Sequence, residues 1–439
     1  MALTPDPHLA IAPTELPLFT DLYQLTMGLC YHREGIAHRP AAFELFVRRL
    51  PANFSYLVAM GLSQAIAYLE QLSLTPEQIA ALQELPIFAQ ADAGFWELLT
   101  HGRFQGDVWA VPEGTVIFAH EPIVRIEAPL WQAQWVETYL LNTINYQTLI
   151  ATKASRIRDA AGDKAQLLEF GSRRAFSPQA ALWAARAALA GGMDGTSNVL
   201  AALQLGVQPQ GTMAHALVMA MTALAGSEDQ AFAAFHRTFP QSALLIDTFD
   251  AHAASQDLAD WIAREGVTIR GVRLDSGDLL TQSQQVRSRL PEVQIMVSGD
   301  LDEYQIQHLR QHHAPIDGYG IGTKLVTGNP VNGVYKLVEI DGIPVVKKSP
   351  GKHTYPHRKQ IFRTGDDAQI SGDRLGRMGT APKVGEQELL QLVMRQGQSL
   401  IPQESIGTLR DRTRDAVRML PAAVRSLDYA AGFPVALDL

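Results

Sequence analysis

The chain has one cysteine, Cys30, in 439 residues. That count rules out an intrachain disulfide framework and any zinc site built from several thiolates, and it leaves no basis for thiol redox chemistry. Cys30 reads most simply as a small apolar residue of the interior. Long apolar runs are also missing, since nothing approaches the ~18 residues that a membrane span needs. The stretch Met1 to Phe19 carries Pro5, Asp6, Pro13 and Glu15 and lacks the basic start and apolar core of a secretory signal, so a cytoplasmic protein is expected. A surplus of positive charge is missing too. With 37 basic against 45 acidic side chains the net charge is -8, which speaks against a general nucleic-acid binder, because backbone phosphates call for a basic face. Small anions remain accessible: a few arginines and backbone amides can hold them inside a negative protein.

What is present is the composition of a globular protein, 46% hydrophobic and 19% charged. The length implies two or three domains, or one large barrel with an attached layer. Near the C-terminus Arg410, Arg412, Arg414 and Arg418 alternate with Asp411 and Asp415, the pattern of a solvated helix face rather than of a polyanion site.

From Thr14 to Gly106 the pattern is mainly helical. Thr75-Pro76-Glu77-Gln78 predicts a helix start, with Thr75 as N-cap, proline in the first position and Gln78 closing a capping box. Asp107 to Glu127 alternates around Pro112-Glu113-Gly114 and Pro122, as short antiparallel strands do. A long helix is expected over about Trp131 to Ala161. From Gln166 onward apolar strands end in polar or glycine-rich tips, at Glu169-Phe170-Gly171-Ser172, Asp194-Gly195-Thr196-Ser197, Gly211-Thr212-Met213, Asp247-Thr248-Phe249-Asp250, Arg273-Leu274-Asp275, Ser298-Gly299-Asp300 and Gly320-Ile321-Gly322-Thr323. Most are followed by helix formers, such as Pro178 to Leu189, Ala214 to Ala225 and Glu303 to His312. Seven or so such units predict a parallel (β/α) barrel, irregular because some connections are short, with its chemistry at the strand C-terminal ends. After Asn329 strands resume, and Asp341-Gly342 between Tyr335–Ile340 and 343–348 predicts a two-residue hairpin turn.

The segment Gly271 to Leu279, Gly-Val-Arg-Leu-Asp-Ser-Gly-Asp-Leu, concentrates the chemistry. An arginine fork matches a planar carboxylate or phosphate, while Asp275 and Asp278 can hold a divalent ion or sugar hydroxyls beside it. Anion and polyol recognition follow as the first expectation.

Five segments in order carry a family resemblance: Thr20-Asp21-Leu22-Tyr23-Gln24-Leu25-Thr26-Met27, Phe43-Glu44-Leu45-Phe46-Val47-Arg48, Glu169 to Arg174, Gly211-Thr212-Met213-Ala214-His215, and the Gly271 segment. Together they resemble the nicotinate phosphoribosyltransferases, members of the type II phosphoribosyltransferases, over about Thr20 to Thr354. The resemblance implies an irregular α/β barrel joined to an α/β sandwich domain made from both chain ends. The corresponding boundaries here are 1–130 and 331–439 for the sandwich and 131–330 for the barrel. It also implies a reaction of nicotinate with 5-phosphoribosyl-1-diphosphate, giving nicotinate mononucleotide and diphosphate, with ATP as co-substrate, Mg²⁺ as cofactor, and a homodimer with shared active sites.

By the same resemblance Asp247 and Asp275 face the ribosyl cation, Arg273 pairs with the nicotinate carboxylate, and Arg173 contacts substrate. Phe170 and Tyr23 sandwich the pyridine ring, Tyr23 coming from a neighbouring subunit. Thr212 belongs to the substrate site, and His215 is the residue phosphorylated by ATP. Many members carry a serine after this histidine, where this chain has Ala216. Ser197 stands where the nicotinamide-using relatives carry an aspartate, and serine removes a repulsion toward a carboxylate substrate. Ser197 as a plain helix cap fits the sequence equally. Ser298, Gly299, Gly320, Gly322 and Thr323 lie where barrels form phosphate sites from late strands. The rivals are a nicotinamide-using enzyme, disfavoured by Ser197, and a regulatory nucleotide-binding barrel without catalysis, disfavoured by the intact set Asp247, Asp275, Arg173 and Arg273.

Overall fold

The computed structural model describes residues 9–348, 352, 354–428 and 432–439. Pro5 and Asp6, two of the residues used above to read the N-terminus, lie outside the described residues. No helix among them is long and apolar enough to cross a membrane.

Two sheets organise the molecule. The larger has seven strands and draws on both chain ends: Pro40–Val47 is flanked by the central strand Pro122–Pro129 on one side and by Gly333–Ile340 on the other, both antiparallel. Gln391–Arg395 extends the far side against Asp107–Ala110. Pro40–Val47 lies inside a stretch whose sequence reads as helical. Seven of its eight residues are buried, so both faces are covered and the alternation that marks a half-exposed strand is lost. Its one charge, Glu44, is fully buried and accepts from the Lys359 backbone N–H at 2.9 Å while pairing with Lys359 Nζ at 2.7 Å. A four-stranded sheet, Glu386–Glu388, Lys359–Gly365, Ile370–Arg377 and Val435–Asp438, packs behind and has no counterpart in the sequence reading.

Helices surround these strands. Thr75 caps Pro76–Gln83 with the expected box, its hydroxyl accepting from Gln78 N–H and the Gln78 amide oxygen accepting from Thr75 N–H at 2.9 Å. Cys30 is exposed rather than interior. Leu25, Gly28 and Leu29 face inward on helix Leu22–Arg33, and one further residue, a rotation of about 100°, carries Cys30 to solvent. The hairpin turn forms at Asp341-Gly342, both at positive φ (51° and 75°), but its second strand spans only Ile343–Pro344. The arginine-rich segment is the helix Ile406–Arg418, where Arg412 pairs with Glu404, Arg414 with Asp411 and Asp415, and Arg418 with Asp163.

The second sheet is parallel, with six strands in the order Gly195–Thr196, Gln166–Glu169, Gly318–Ile321, Gln294–Ser298, Gly271–Leu274, Leu244–Leu245. First and last strands in sequence are therefore neighbours, as in a barrel, and the ladder is open between Thr196 and Leu244. Gly211-Thr212-Met213 is not a strand. It runs as irregular chain beside the opening, with Gln210 N–H donating to Thr196 O at 2.8 Å, and this missing strand makes the barrel irregular. Helices follow the strands where composition places them, at Pro178–Gly191, His215–Ala225 and Glu303–Gln311. The helix Glu137–Ala161, 25 residues long, joins the two sheets and is separated by Val136 from a shorter helix, Leu130–Trp135.

Candidate active site

The C-terminal ends of the parallel strands open on a cavity of about 510 Å³. Phe170 and Arg173 follow the strand Gln166–Glu169; Ser197 follows Gly195–Thr196; Thr212 comes from the irregular segment. Arg273 and Asp275 end Gly271–Leu274, Ser298 and Gly299 end Gln294–Ser298, and Gly320, Gly322 and Thr323 end Gly318–Ile321. All of these residues line that cavity. A second cavity of about 660 Å³ continues below Phe170 and Arg273 toward the strand N-termini.

Arg273 reaches across the opening of the barrel and donates through Nη1 to Thr212 Oγ1. Burial pulls its pKa below the usual arginine range, against the pull of Asp275 and Asp247. Its Nε is buried without a hydrogen-bond partner, a donor set at the cavity with nothing to satisfy it.

The carboxylates are tied to one another. Asp247 Oδ2 accepts from the Asp275 backbone N–H at 2.7 Å and from Ser276 Oγ at 2.9 Å, while Asp247 Oδ1 is buried and unpartnered. Ser298 Oγ donates to Asp275 Oδ1. Gly299, at φ 92°, passes so close to the Asp275 carbonyl that a Cβ would overlap it, and glycine is required there. His215 begins the helix His215–Ala225; its Nδ1 lies 3.0 Å from Thr248 Oγ1 and its Nε2 lies 3.8 Å from Asp275 Oδ2. Thr248 supplies a hydroxyl to the imidazole beside the position where Ala216 has none.

Several sequence readings change on contact with this geometry. Asp278 does not join Asp275: it caps helix Leu279–Arg289, accepting from Thr281 Oγ1 at 2.6 Å in full solvent exposure. Ser197 is not a helix cap, since Asn198 takes that place by accepting from Ala201 N–H at 2.9 Å; Ser197 Oγ donates to the Glu169 carbonyl at 3.3 Å. Tyr23 is not in the cavity of its own chain. Its hydroxyl donates to Glu137 at 3.1 Å, and burial together with Glu137 and Asp21 pushes its pKa up to about 12.

The sequence reading missed Glu169, Thr248 and Asp300. Glu169 is buried, and its carboxylate accepts from Gly171 N–H and from Thr196 Oγ1 at 2.6 Å, fixing the turn that carries Phe170. A carboxylate closing an apolar strand was the available signal. Asp300 lines the cavity at a strained φ of 36°. Glu228 stands nearby, pushed up to about 7 by burial and by the neighbouring charges of Asp229, Asp257, Asp247 and Asp250.

An open parallel barrel whose strand ends gather carboxylates, arginines and a histidine, joined to a sandwich drawn from both chain ends, is the architecture of the type II phosphoribosyltransferases. Residues 18–145 match the nicotinate phosphoribosyltransferase (NAPRTase) N-terminal domain and residues 165–368 the NAPRTase family, and the chain belongs to that family. It is 40% identical over 433 residues to nicotinate phosphoribosyltransferase pncB2 of Mycobacterium tuberculosis, covering 96% of this chain and 91% of that one. It is 43% identical over 369 residues to nicotinate phosphoribosyltransferase of Bacillus subtilis, covering 79% and 73% respectively. The crystal structure of human nicotinic acid phosphoribosyltransferase superposes with a TM-score of 0.82 at 29% identity, over 95% of this chain and 97% of the human one.

Proposed function

We propose that the chain is a nicotinate phosphoribosyltransferase of NAD salvage, joining nicotinate to 5-phosphoribosyl-1-diphosphate with release of diphosphate. The observation that carries this reading is Arg273, a half-buried arginine whose buried Nε is unpartnered at the cavity, one residue of chain away from Asp275 of the carboxylate pair. Its fork suits the planar carboxylate of nicotinate, and Phe170 offers a face for the flat ring. No carboxylate occupies the Ser197 position, so an acid is not repelled there.

In the reaction the pyridine nitrogen forms a bond to the anomeric carbon as the bond from that carbon to the diphosphate oxygen breaks, the electron pair leaving with diphosphate. Positive charge grows on the ribose. Asp247 and Asp275, held by the Asp275 N–H and by Ser298, present preorganised negative charge to it without reorganising. Arg173 and the turns at Ser298-Gly299 and Gly320 to Thr323 are assigned to the phosphate groups. The described residues contain no group of three metal-ligating side chains. Mg²⁺ is ordinarily held by one or two carboxylates plus substrate phosphates, and Asp247, whose Oδ1 is buried without a partner, and Asp275 are the candidate donors. When bound there, the ion neutralises charge on the leaving diphosphate.

We assign ATP coupling to His215. Thr248 engages Nδ1, which leaves Nε2 as the atom to attack the γ-phosphorus, with ADP departing. Two observations support a homodimer with shared sites. Tyr23 lies outside its own cavity, and the helices Val199–Gln204 and His215–Ala225 each expose large apolar side chains, Val199, Leu200 and Leu203 on the first and Met219 and Leu224 on the second, which a second copy could cover.

The test is purified protein with nicotinate, phosphoribosyl diphosphate and Mg²⁺, with and without ATP, followed by detection of the mononucleotide. Product is expected in both conditions and more of it with ATP; no product in either refutes the assignment.

A further inference from the structure

We infer that Lys153 and Tyr146 are positioning residues for the substrate cavity: from the long helix they hold the turn that supplies one of its walls, and through Val326 they hold Phe170. The inference deepens the transferase reading and rests on it.

The two residues sit seven apart on Glu137–Ala161, two helical turns, and so share a face. Tyr146 OH donates to Val326 O at 3.1 Å, and Lys153 Nζ donates to Thr327 O at 2.6 Å. Those are consecutive carbonyls at the end of the short helix Thr323–Val326, where no further helical N–H arrives to meet them. Gly328, at φ 144°, lets the ammonium approach, for a Cβ there would stand 3.1 Å from Nζ.

The turn is bonded into one piece. Thr327 N–H and Oγ1 both donate to Thr323 O, at 3.1 and 2.7 Å, so the anchored end is bonded to the residue that lines the cavity. On its other side the turn interlocks with the ring-binding segment. Phe170 N–H donates to Ile321 O at 2.8 Å, the Val326 side chain fills the space where a Cβ of Gly171 would be, and the Phe170 ring fills that of Gly320. Displacement of Thr327 is therefore passed to Thr323 on one side and to Phe170 on the other.

The choice of a lysine points the same way. Lys153 is largely buried, and desolvation lowers its pKa in spite of Glu303 and Asp302. Glu303 is already committed to Arg156, at 3.0 Å. A buried cation spent on one neutral carbonyl is a poor source of stability. What it secures is the place of that carbonyl.

The experiment compares wild type, Lys153→Met, Tyr146→Phe and Ser155→Ala. Ser155 lies on the same helix, and its hydroxyl meets Tyr56 OH at 3.2 Å, away from the turn, so its loss reports stability alone. Lys153→Met and Tyr146→Phe are expected to raise the KM for phosphoribosyl diphosphate by at least about fivefold, whereas Ser155→Ala leaves it within twofold. Hydrogen–deuterium exchange, which needs no activity, is expected to quicken in 169–172 and 320–328 only. Unchanged KM values, exchange that quickens evenly along the chain, or an equal KM effect in Ser155→Ala overturns the inference. If wild type transfers no ribosyl group, the function reading has failed and the exchange comparison alone decides this one. If Lys153→Met does not fold, Tyr146→Phe, which removes one hydroxyl, carries the same test.

Discussion

The backbone N–H of Asp275 donates to Asp247 Oδ2 at 2.7 Å, so the two carboxylates form one construction, the second oriented by the first. Asp247→Ala removes the acceptor for both Asp275 N–H and Ser276 Oγ and takes away charge facing the ribose. Turnover is expected to fall by about 100- to 1000-fold, as for the loss of one preorganised electrostatic group. Steady-state kinetics on protein with an unchanged melting temperature decides it; a loss under threefold removes Asp247 from the site.

Arg273→Lys keeps a positive charge but not the planar fork. The specificity constant for nicotinate is expected to drop by an amount on the order of 2 to 4 kcal/mol, through lost paired hydrogen bonds in a partly desolvated setting. An unchanged constant takes Arg273 off the carboxylate.

His215→Ala is expected to abolish ATP stimulation while basal transfer survives, because Arg273, Asp247 and Asp275 remain. Acid-labile phosphate should appear on wild type after incubation with ATP and be absent from the variant. ATP hydrolysis that stays in step with product in His215→Ala contradicts the phosphohistidine assignment.

Mixing inactive Tyr23→Ala with inactive Asp275→Ala protein should restore part of the activity through hybrid dimers. Subunits that exchange, as shown by mass, and yet stay inactive argue against a shared site.

Glu228 links the site to pH. Its folded pKa, about 7, lies above the unfolded carboxylate value, so its contribution to stability is complete below that unfolded value and is lost as pH rises through about 7. Above that point it adds negative charge close to Asp247, Asp250, Asp229 and Asp257, opposing an anionic substrate. Glu228→Gln is expected to flatten the rise in KM for phosphoribosyl diphosphate between pH 6 and 8; parallel profiles for variant and wild type exclude it as the titrating group.

The parallel-strand rhythm, the capping box at Thr75 and the gathering of polar tips were all legible because each rests on local pattern. What escaped was non-local. Pro40–Val47 is strand because sequence-distant strands pair with both its edges while its two faces are buried, and no periodicity records that. Gly211-Thr212-Met213 looks like a strand tip by analogy with its neighbours, but the barrel opens there, and Thr212 instead receives Arg273. Asp278 and Asp275 are indistinguishable by residue type. Only the start of the following helix sends one to a cap and the other to the cavity. Tyr146 and Lys153 carry no sequence signal of their kind, because their partners are carbonyls, which every residue has.

The place of Pro40–Val47 between strands from both parts of the chain also sets a schedule for biosynthesis. Gly333–Ile340, which flanks it, is made some 290 residues later, and the ribosome at roughly 5 to 20 residues per second needs on the order of 15 to 60 s to supply it. Through that interval a nascent chain holds a long, nearly uncharged strand with one open edge, a template for pairing with any other unfinished copy. The same feature that joins the two chain ends leaves the half-made protein with an edge that stays open until the later strand arrives.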